Sequence, residues 1–302
     1  MPHTRILNLY LPQTWREDAA AGRVQIVNHI HAVVARQGLK VLIHPDTHAE
    51  MADPERRHGW SLFFQQEPVG PRCLCLRLAY HLPFWQIEAT NQRWWFDVAQ
   101  KSFNPEDVDP LAARNFFFSW RRQLLGERQV SRDGFIFVPL QGRLSDHKPH
   151  QAMSPLAMLH ATLELDPRPI RATLHPRETY TATDLHALED LMRRYPRLEV
   201  TRSDSLKLLA ACDMVVSENS STALKGFFFR KPTVLFAGVD FHHIAGSVPR
   251  DGVAKAFALA EGTVPDHAAY LYWFFHENSI NSGAPEADEQ ILARFTRHGW
   301  HF

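Results

Sequence analysis

The residues with the most chemistry to offer run Ser217-Glu218-Asn219-Ser220-Ser221-Thr222, with Lys225 one helical turn beyond Ser221. Before them the apolar run Met214-Val215-Val216 reads as a buried strand; after them Lys231-Pro232 closes a helix ahead of a second apolar run. Strand, hydroxyl-rich turn, helix and strand make a right-handed βαβ unit. In such a unit the turn presents unpaired backbone N–H groups at the positive end of a helix, where an anion is stabilised. One of Ser220, Ser221 and Thr222 caps the helix, and capping uses the geometry that phosphate binding uses. The turn reads as the holder of the phosphate of an activated sugar.

Two further groups belong to loops that follow strands. His175-Pro176-Arg177-Glu178 comes directly after an apolar run; proline stops the strand there and fixes the turn, and histidine with arginine suits an anion. The loop after Val138-Pro139-Leu140 carries Gln141, Arg143, Asp146, His147, Lys148 and His150. Asp146 could act as a nucleophile or base at an anomeric carbon, or simply pair with Arg143 or Lys148. In the first half Glu88 lies among aromatic residues, in Trp85-Gln86-Ile87-Glu88. Desolvation there would raise its pKa toward that of a general acid, although a satisfied structural carboxylate fits the same position.

Metal signals are weak. His242-His243 has no third ligand at a defined spacing, and Asp107-Val108-Asp109 is an Asp-x-Asp whose place before a proline-started helix also suits charge compensation of that helix. No metal ligand set is assigned. Gly-x-Gly-x-x-Gly, the P-loop pattern and Gly-x-Ser-x-Gly are all absent, which argues against dinucleotide oxidoreductases, P-loop NTPases and α/β-hydrolases. Thirty-three basic residues balance 33 acidic ones, so no polycationic character points to nucleic acid. Cys73, Cys75 and Cys212 are too few for a disulfide or zinc framework. The start runs into a strand rather than a signal sequence, and no apolar run nears the roughly 18–20 residues that cross a bilayer. A cytoplasmic protein is expected, with peripheral membrane contact left open.

The elements that must position these groups follow from periodicity. At 302 residues the chain can hold two domains. Strands are expected at 6–11, 39–43, 60–64 and 73–78, with a helix over 24–36, so the first half reads as an open α/β domain. An aromatic segment over 80–118 reads as core beneath irregular chain, or as a wall for a sugar or acceptor to stack on. The polar stretch 126–134 reads as the linker, giving an acceptor-side domain over 1–128 and a donor domain over 134–302 that keeps the C-terminal helices. In the second half strands at 135–140, 170–174, 198–201 and 214–216 alternate with helices, the pattern of a doubly wound parallel sheet. Its ligand belongs at the carboxyl ends of the strands, where the loops beginning at Gln141, His175 and Ser217 should converge.

Together, Val138-Pro139-Leu140-Gln141 with Asp146, Leu174-His175-Pro176-Arg177, and the stretch from Ser217 to Lys231-Pro232 resemble the capsule polysaccharide biosynthesis proteins. That family includes the bacterial capsule Kdo transferases. Tyr270-Leu271-Tyr272-Trp273-Phe274 and the closing helix are similar to it as well. The resemblance covers the second half. It implies a GT-B architecture, two Rossmann-like α/β domains facing a central cleft. It also implies a glycosyltransferase of capsule or surface-polysaccharide assembly using CMP-Kdo as donor, with no metal or other cofactor, and a lipid-linked or growing glycan as acceptor at the inner membrane face. On that reading His175, Ser220 and Ser221 bind the donor phosphate and sugar carboxylate, supported by Gln141, Arg143, Lys148, Pro176, Arg177, Glu178, Ser217, Asn219, Thr222 and Lys225. Asp146 is the carboxylate of the first loop and Glu88 the acid from the facing domain. A GT-B transferase with another nucleotide sugar, or a non-catalytic glycan- or nucleotide-binding subunit of an assembly or export complex, fits the same residues.

Overall fold

The computed structural model describes residues 5–52 and 59–302. Its strands are β1 (Ile6–Leu11), β2 (Lys40–Pro45), β3 (Trp60–Phe64), β4 (Cys73–Leu78), β5 (Phe84–Glu88), β6 (Ile136–Pro139), β7 (Ile170–Thr173), β8 (Leu198–Thr201), β9 (Met214–Ser217), β10 (Thr233–Leu235), β11 (Gly246–Ser247) and β12 (Ile280–Asn281). The chain forms two compact units, Met1–Lys101 with Phe274–Phe302, and Ser102–Trp273. Among the described residues no helix is long and apolar enough to cross a membrane.

The first unit holds a six-stranded sheet in the order β12-β5-β4-β3-β1-β2. β1 to β4 pair in parallel, while β5 runs antiparallel to β4 and β12 antiparallel to β5. Helix Gln25–Arg36 puts Ile26, Val27, Ile30, Val33 and Val34 onto the core at the expected helical spacing. The last 29 residues, expected in the second domain, belong here. Their apolar positions Ile280, Ile291, Phe295 and Trp300 join the core of Leu7, Leu9, Val27 and Ile30, and Trp300 stacks on Phe295 with ring centroids 4.9 Å apart. Asp288 fastens the same segment to helix Gln25–Arg36 through His29 Nδ1 at 2.6 Å and the Arg36 guanidinium at 2.5 Å.

The second unit holds the parallel sheet β11-β10-β9-β6-β7-β8. The doubly wound reading is met: strands are added outward from β6 through β7 to β8, then on its other side through β9 and β10 to β11. The strand order therefore reverses between β6 and β9. Gly246 in β11 lies where a Cβ would meet the Ala256 carbonyl oxygen at 1.9 Å, so only glycine lets the following helix Val253–Gly262 pack this close.

Residues 126–134, expected as the linker, fall inside this unit. The preceding helix Pro110–Leu125 packs here, with Phe116 edge-on to Tyr272 and Phe117 stacked near Phe228 at 5.9 Å. The aromatic segment serves both cores: Phe84, Trp85 and Phe96 are buried in the first unit and Phe117 in the second, whereas Trp95 and Phe118 are exposed. Asp109 caps helix Pro110–Leu125 by accepting from the N–H groups of Leu111 and Ala112, so the Asp-x-Asp does the work of a helix start.

Replacing Trp300 with alanine should destabilise the first unit by roughly 3–5 kcal/mol. Chemical denaturation followed by tryptophan fluorescence would show it. A change under about 1 kcal/mol would mean the tail does not complete that core.

Candidate functional site

The carboxyl ends of β6, β7 and β9 carry three loops, and each has a distinct local cause. Helix Ser221–Phe228 starts at Ser220, whose hydroxyl accepts from the Thr222 N–H at 3.2 Å, while the Ser217 hydroxyl accepts from the Ser220 N–H at 3.3 Å. Both serines thus hold the turn in shape. Ser221 is exposed at the first helical position, where the N–H has no intrahelical acceptor. Thr222, Asn219 and Lys225 are half-buried. Lys231, which ends the unit's fourth crossover, donates from Nζ to the carbonyls of Ser131 and Cys212, both at 2.6 Å.

After β7 the His175–Glu178 turn is closed by its own groups. The Arg177 N–H donates to His175 Nδ1 at 3.2 Å, and the His175 N–H donates to the Tyr180 hydroxyl at 2.7 Å. With Nδ1 used as an acceptor, the neutral ring carries its proton on Nε2, at an exposed position where it can donate to a ligand. Pro176, Arg177 and Glu178 are exposed as well. Glu178 lies over Gly142, so close that a Cβ there would meet its carboxylate oxygen at 2.4 Å. Glycine at 142 is what lets the first and second loops touch.

The loop after β6 has two halves. In the first, Gln141 is half-buried and Arg143, in a left-handed conformation with φ of 59°, pairs with Asp146 at 2.7 Å. Asp146 and Arg143 are both largely in solvent, where such a pair contributes little to stability. Ser145 donates twice to Asp184, from its backbone at 3.0 Å and its hydroxyl at 2.8 Å. Arg143, Ser145, Asp146, Thr179, Tyr180 and Thr183 line an open cleft of about 490 Å³ between the first and second loops.

The second half of that loop turns the other way. Gln151 bridges to Ala237 beyond β10, the Ala152 N–H donates to the Phe236 carbonyl at 2.7 Å, and the Gly238 N–H donates to the His150 carbonyl at 2.8 Å. His147 Nε2 and the Lys148 N–H are spent on Gln151. Because β9 lies between β6 and β10, a segment leaving β6 and pairing beside β10 must pass across the carboxyl end of β9. The residue at that end is Glu218.

Glu218 is the candidate that the sequence pattern contains but that was not selected from it. It is 2% exposed, and neither carboxylate oxygen has a hydrogen-bond partner among the described residues. Burial pushes its carboxyl up to about 7, with the charge of Lys148 pulling the other way. Asp184 shows what a structural buried carboxylate looks like in the same unit. Burial raises its pKa too, but donors from Ser145 and Thr181 outweigh that and hold the carboxyl below its usual range. A buried polar group with no partner is uncommon and costly, and a desolvated acid at a strand end is a mark of function. Its signal in the sequence was an acidic residue inside an otherwise neutral, hydroxyl-rich strand-to-helix turn.

Glu88 has a different setting. It is 2% exposed in the first unit, with Arg294 3.6 Å and His298 3.7 Å from its oxygens, and it accepts from the Asp97 N–H at 3.2 Å. Glu88, Asp97 and His298 lie close enough to share a cation. Arg294 and Arg297 already neutralise the two acids, and His298 Nε2 lies 3.1 Å from the Ile87 carbonyl. Glu88 thus sits beside Arg294 and His298 of its own unit, with one backbone donor from Asp97. His242 and His243 stack at 4.3 Å, with His243 Nδ1 3.0 Å from the Tyr270 hydroxyl.

A parallel doubly wound sheet with three loops at its switch point is the Rossmann arrangement, and the chain's two α/β units match the GT-B glycosyltransferase fold class. The particular likeness is to a β-Kdo 2,7-transferase, KpsC, of Thermosulfurimonas dismutans: 14% identity over 95% of this chain and 98% of that one, TM-score 0.50. A β-Kdo 2,4-transferase from the same organism aligns over 89% of this chain and 90% of its own at 12% identity, with a TM-score of 0.46. The UDP-GlcNAc 2-epimerase of Methanocaldococcus jannaschii, at 10% identity, covers 97% and 100% with a TM-score of 0.40. No protein-family model and no curated protein sequence matches the chain.

The folded pKa of Glu218, about 7, lies above its ordinary value of 4.5, so the native state holds the proton more tightly than the unfolded chain. The stability this contributes is full below pH 4.5 and is lost as pH rises through 7. Glu218→Gln should therefore leave stability nearly unchanged at pH 5 and raise the melting temperature at pH 8. Thermal melts across that range would show it; parallel curves for the two proteins would mean the carboxylate has found a partner.

Proposed function

We propose that the chain is a glycosyltransferase of capsule or surface-polysaccharide assembly that takes its sugar from a nucleotide donor, CMP-Kdo, and passes it to a lipid-linked or growing glycan. The observation that supports this most is the gathering of the β6, β7 and β9 loops around the switch point of the second sheet. The likeness in fold to a Kdo transferase, over nearly the whole of both chains, favours this donor over others.

Strands in a sheet are about 4.8 Å apart, so the ends of β7 and β9, on either side of β6, are roughly 10 Å apart. A phosphate with the sugar attached to it spans that distance. On this reading the helix start at Ser221 takes the phosphate, with Lys225 one turn along, and His175 Nε2–H donates to the sugar carboxylate or a phosphate oxygen. Breaking the glycosidic bond releases CMP, and the charge that grows on its phosphate is met by the helix dipole and these donors. Asp146, at the rim of the cleft beside the switch point, is the carboxylate placed to serve the anomeric carbon once Arg143 is displaced. The acceptor hydroxyl replaces CMP at that carbon and gives up its proton.

Calorimetric titration should find binding of CMP with UDP and GDP weaker by tenfold or more, and incubation of CMP-Kdo with a Kdo-terminated acceptor should release CMP. His175→Ala should cut CMP affinity at least tenfold while the fold, followed by circular dichroism, stays intact. Preference for UDP or GDP would replace the donor. Tight CMP binding with no release on any acceptor would make the chain a binding subunit.

A further inference from the structure

The serine turn and Glu218 set up a conflict of charge. A helix start arranged for an anion lies within three residues of a carboxyl group that is sealed from water and has no donor to stabilise its charge among the described residues. A negative group brought beside a desolvated carboxyl disfavours the ionised form of that carboxyl, and the usual outcome is a captured proton. We infer that Glu218 couples the binding of an anionic ligand at the Ser220–Ser221 turn to the uptake of one proton, so that ligand and proton bind together. The inference rests on the reading of that turn as the donor-phosphate site, and it adds that Glu218 makes the site pH-gated.

The surroundings determine which way the coupling runs. Across the end of β9 lies the loop from β6, which brings Lys148, whose charge acts on Glu218, together with His147 and His150. His147 Nε2 is engaged by the Gln151 carbonyl, and burial followed by the Lys148 charge lowers the pKa of His150. On the other side the loop after β10 carries buried Asp240 and the stacked pair His242 and His243. On its own helix the charged group is Lys225. With Lys148 as its counter-charge, an arriving anion competes with Glu218 for it. That competition weakens the hold on the ionised carboxyl and favours its neutral form. Free Glu218, near 7, is half protonated at neutral pH, so the coupling operates where a small pH change matters. Glu218 is here a positioning residue, acting on the ligand through charge rather than through a bond to the reacting atoms.

Titrating the full chain with CMP in two buffers of different ionisation enthalpy at pH 7.5 should show net proton uptake of more than half a proton per CMP bound. For Glu218→Gln the uptake should fall to that of the ligand alone, whose own second phosphate pKa of about 6 is common to both proteins. Affinities of wild type and variant should agree at pH 6, and the variant should bind about tenfold more tightly at pH 8, the factor that one linked proton with a pKa near 7 produces. Equal pH slopes in the two proteins would overturn the coupling and leave the glycosyltransferase reading intact. Loss of CMP binding by a folded Glu218→Gln at pH 6 would overturn it too, because Glu218 would then be needed as an ionised acceptor. Should the variant not fold, the buffer comparison on the wild type still decides. If no nucleotide binds but pyrophosphate does, with proton uptake, the coupling stands and the nucleotide-donor reading falls; if neither binds, both fall.

Discussion

The interaction on which the site depends is the short strand-like contact between Gln151 and Ala237, with the hydrogen bonds that flank it on both sides. It draws the loop of β6 across the end of β9 and closes the switch point from above. Without it the carboxyl end of β9 would be open to water and Glu218 would be an ordinary surface acid. With it the same residue is dry, partnerless and of raised pKa. Backbone hydrogen bonds made at one strand thus determine the chemistry of a side chain on the next. The cost of leaving a carboxyl group unpaired is met by the cooperative closure of a sheet edge rather than by any contact of the carboxyl itself.

Three buried carboxylates show how little burial alone says about role. Asp184 has donors from Ser145 and Thr181 and serves as the pin between the first loop and the helix Ala182–Arg194. Glu88 has guanidinium and imidazole neighbours and helps fasten the C-terminal helix Ala287–Arg297 to β5. Glu218 has no hydrogen-bond donor among the described residues, and the charge of Lys148 acts on it. Desolvation acts on all three alike; what separates them is whether donors were placed to answer it.

The first unit illustrates a complementary constraint. Its sheet is completed by β12, and its core by Ile291, Phe295 and Trp300, from the last 29 residues of the chain. The chain therefore passes between the units twice, and the first unit is built from two separate pieces of sequence around the continuous second one. A polar stretch such as 126–134 looks like a linker because it is polar, yet its backbone is tied to the second unit, with Ser131 and Asp133 donating to the carbonyls of Ala210 and Ala211.

What the amino-acid order determined by itself is local. The pattern of apolar residues placed β1, β3 and β4 to the residue, and a helix start among Ser220, Ser221 and Thr222 was legible because capping is a matter of a few adjacent atoms. The doubly wound character of the second sheet was equally legible, since alternating strands and helices admit few other arrangements. So were the three loops beyond β6, β7 and β9, each following its own strand. Tertiary structure alone decided the rest. Strand order, the return of the tail to the first core, the occupation of Glu88 by Arg294 and the sealing of Glu218 all join residues distant in the chain. Hydrophobic pattern says that a residue is buried but not against what, and a carboxylate's pKa depends on that second fact.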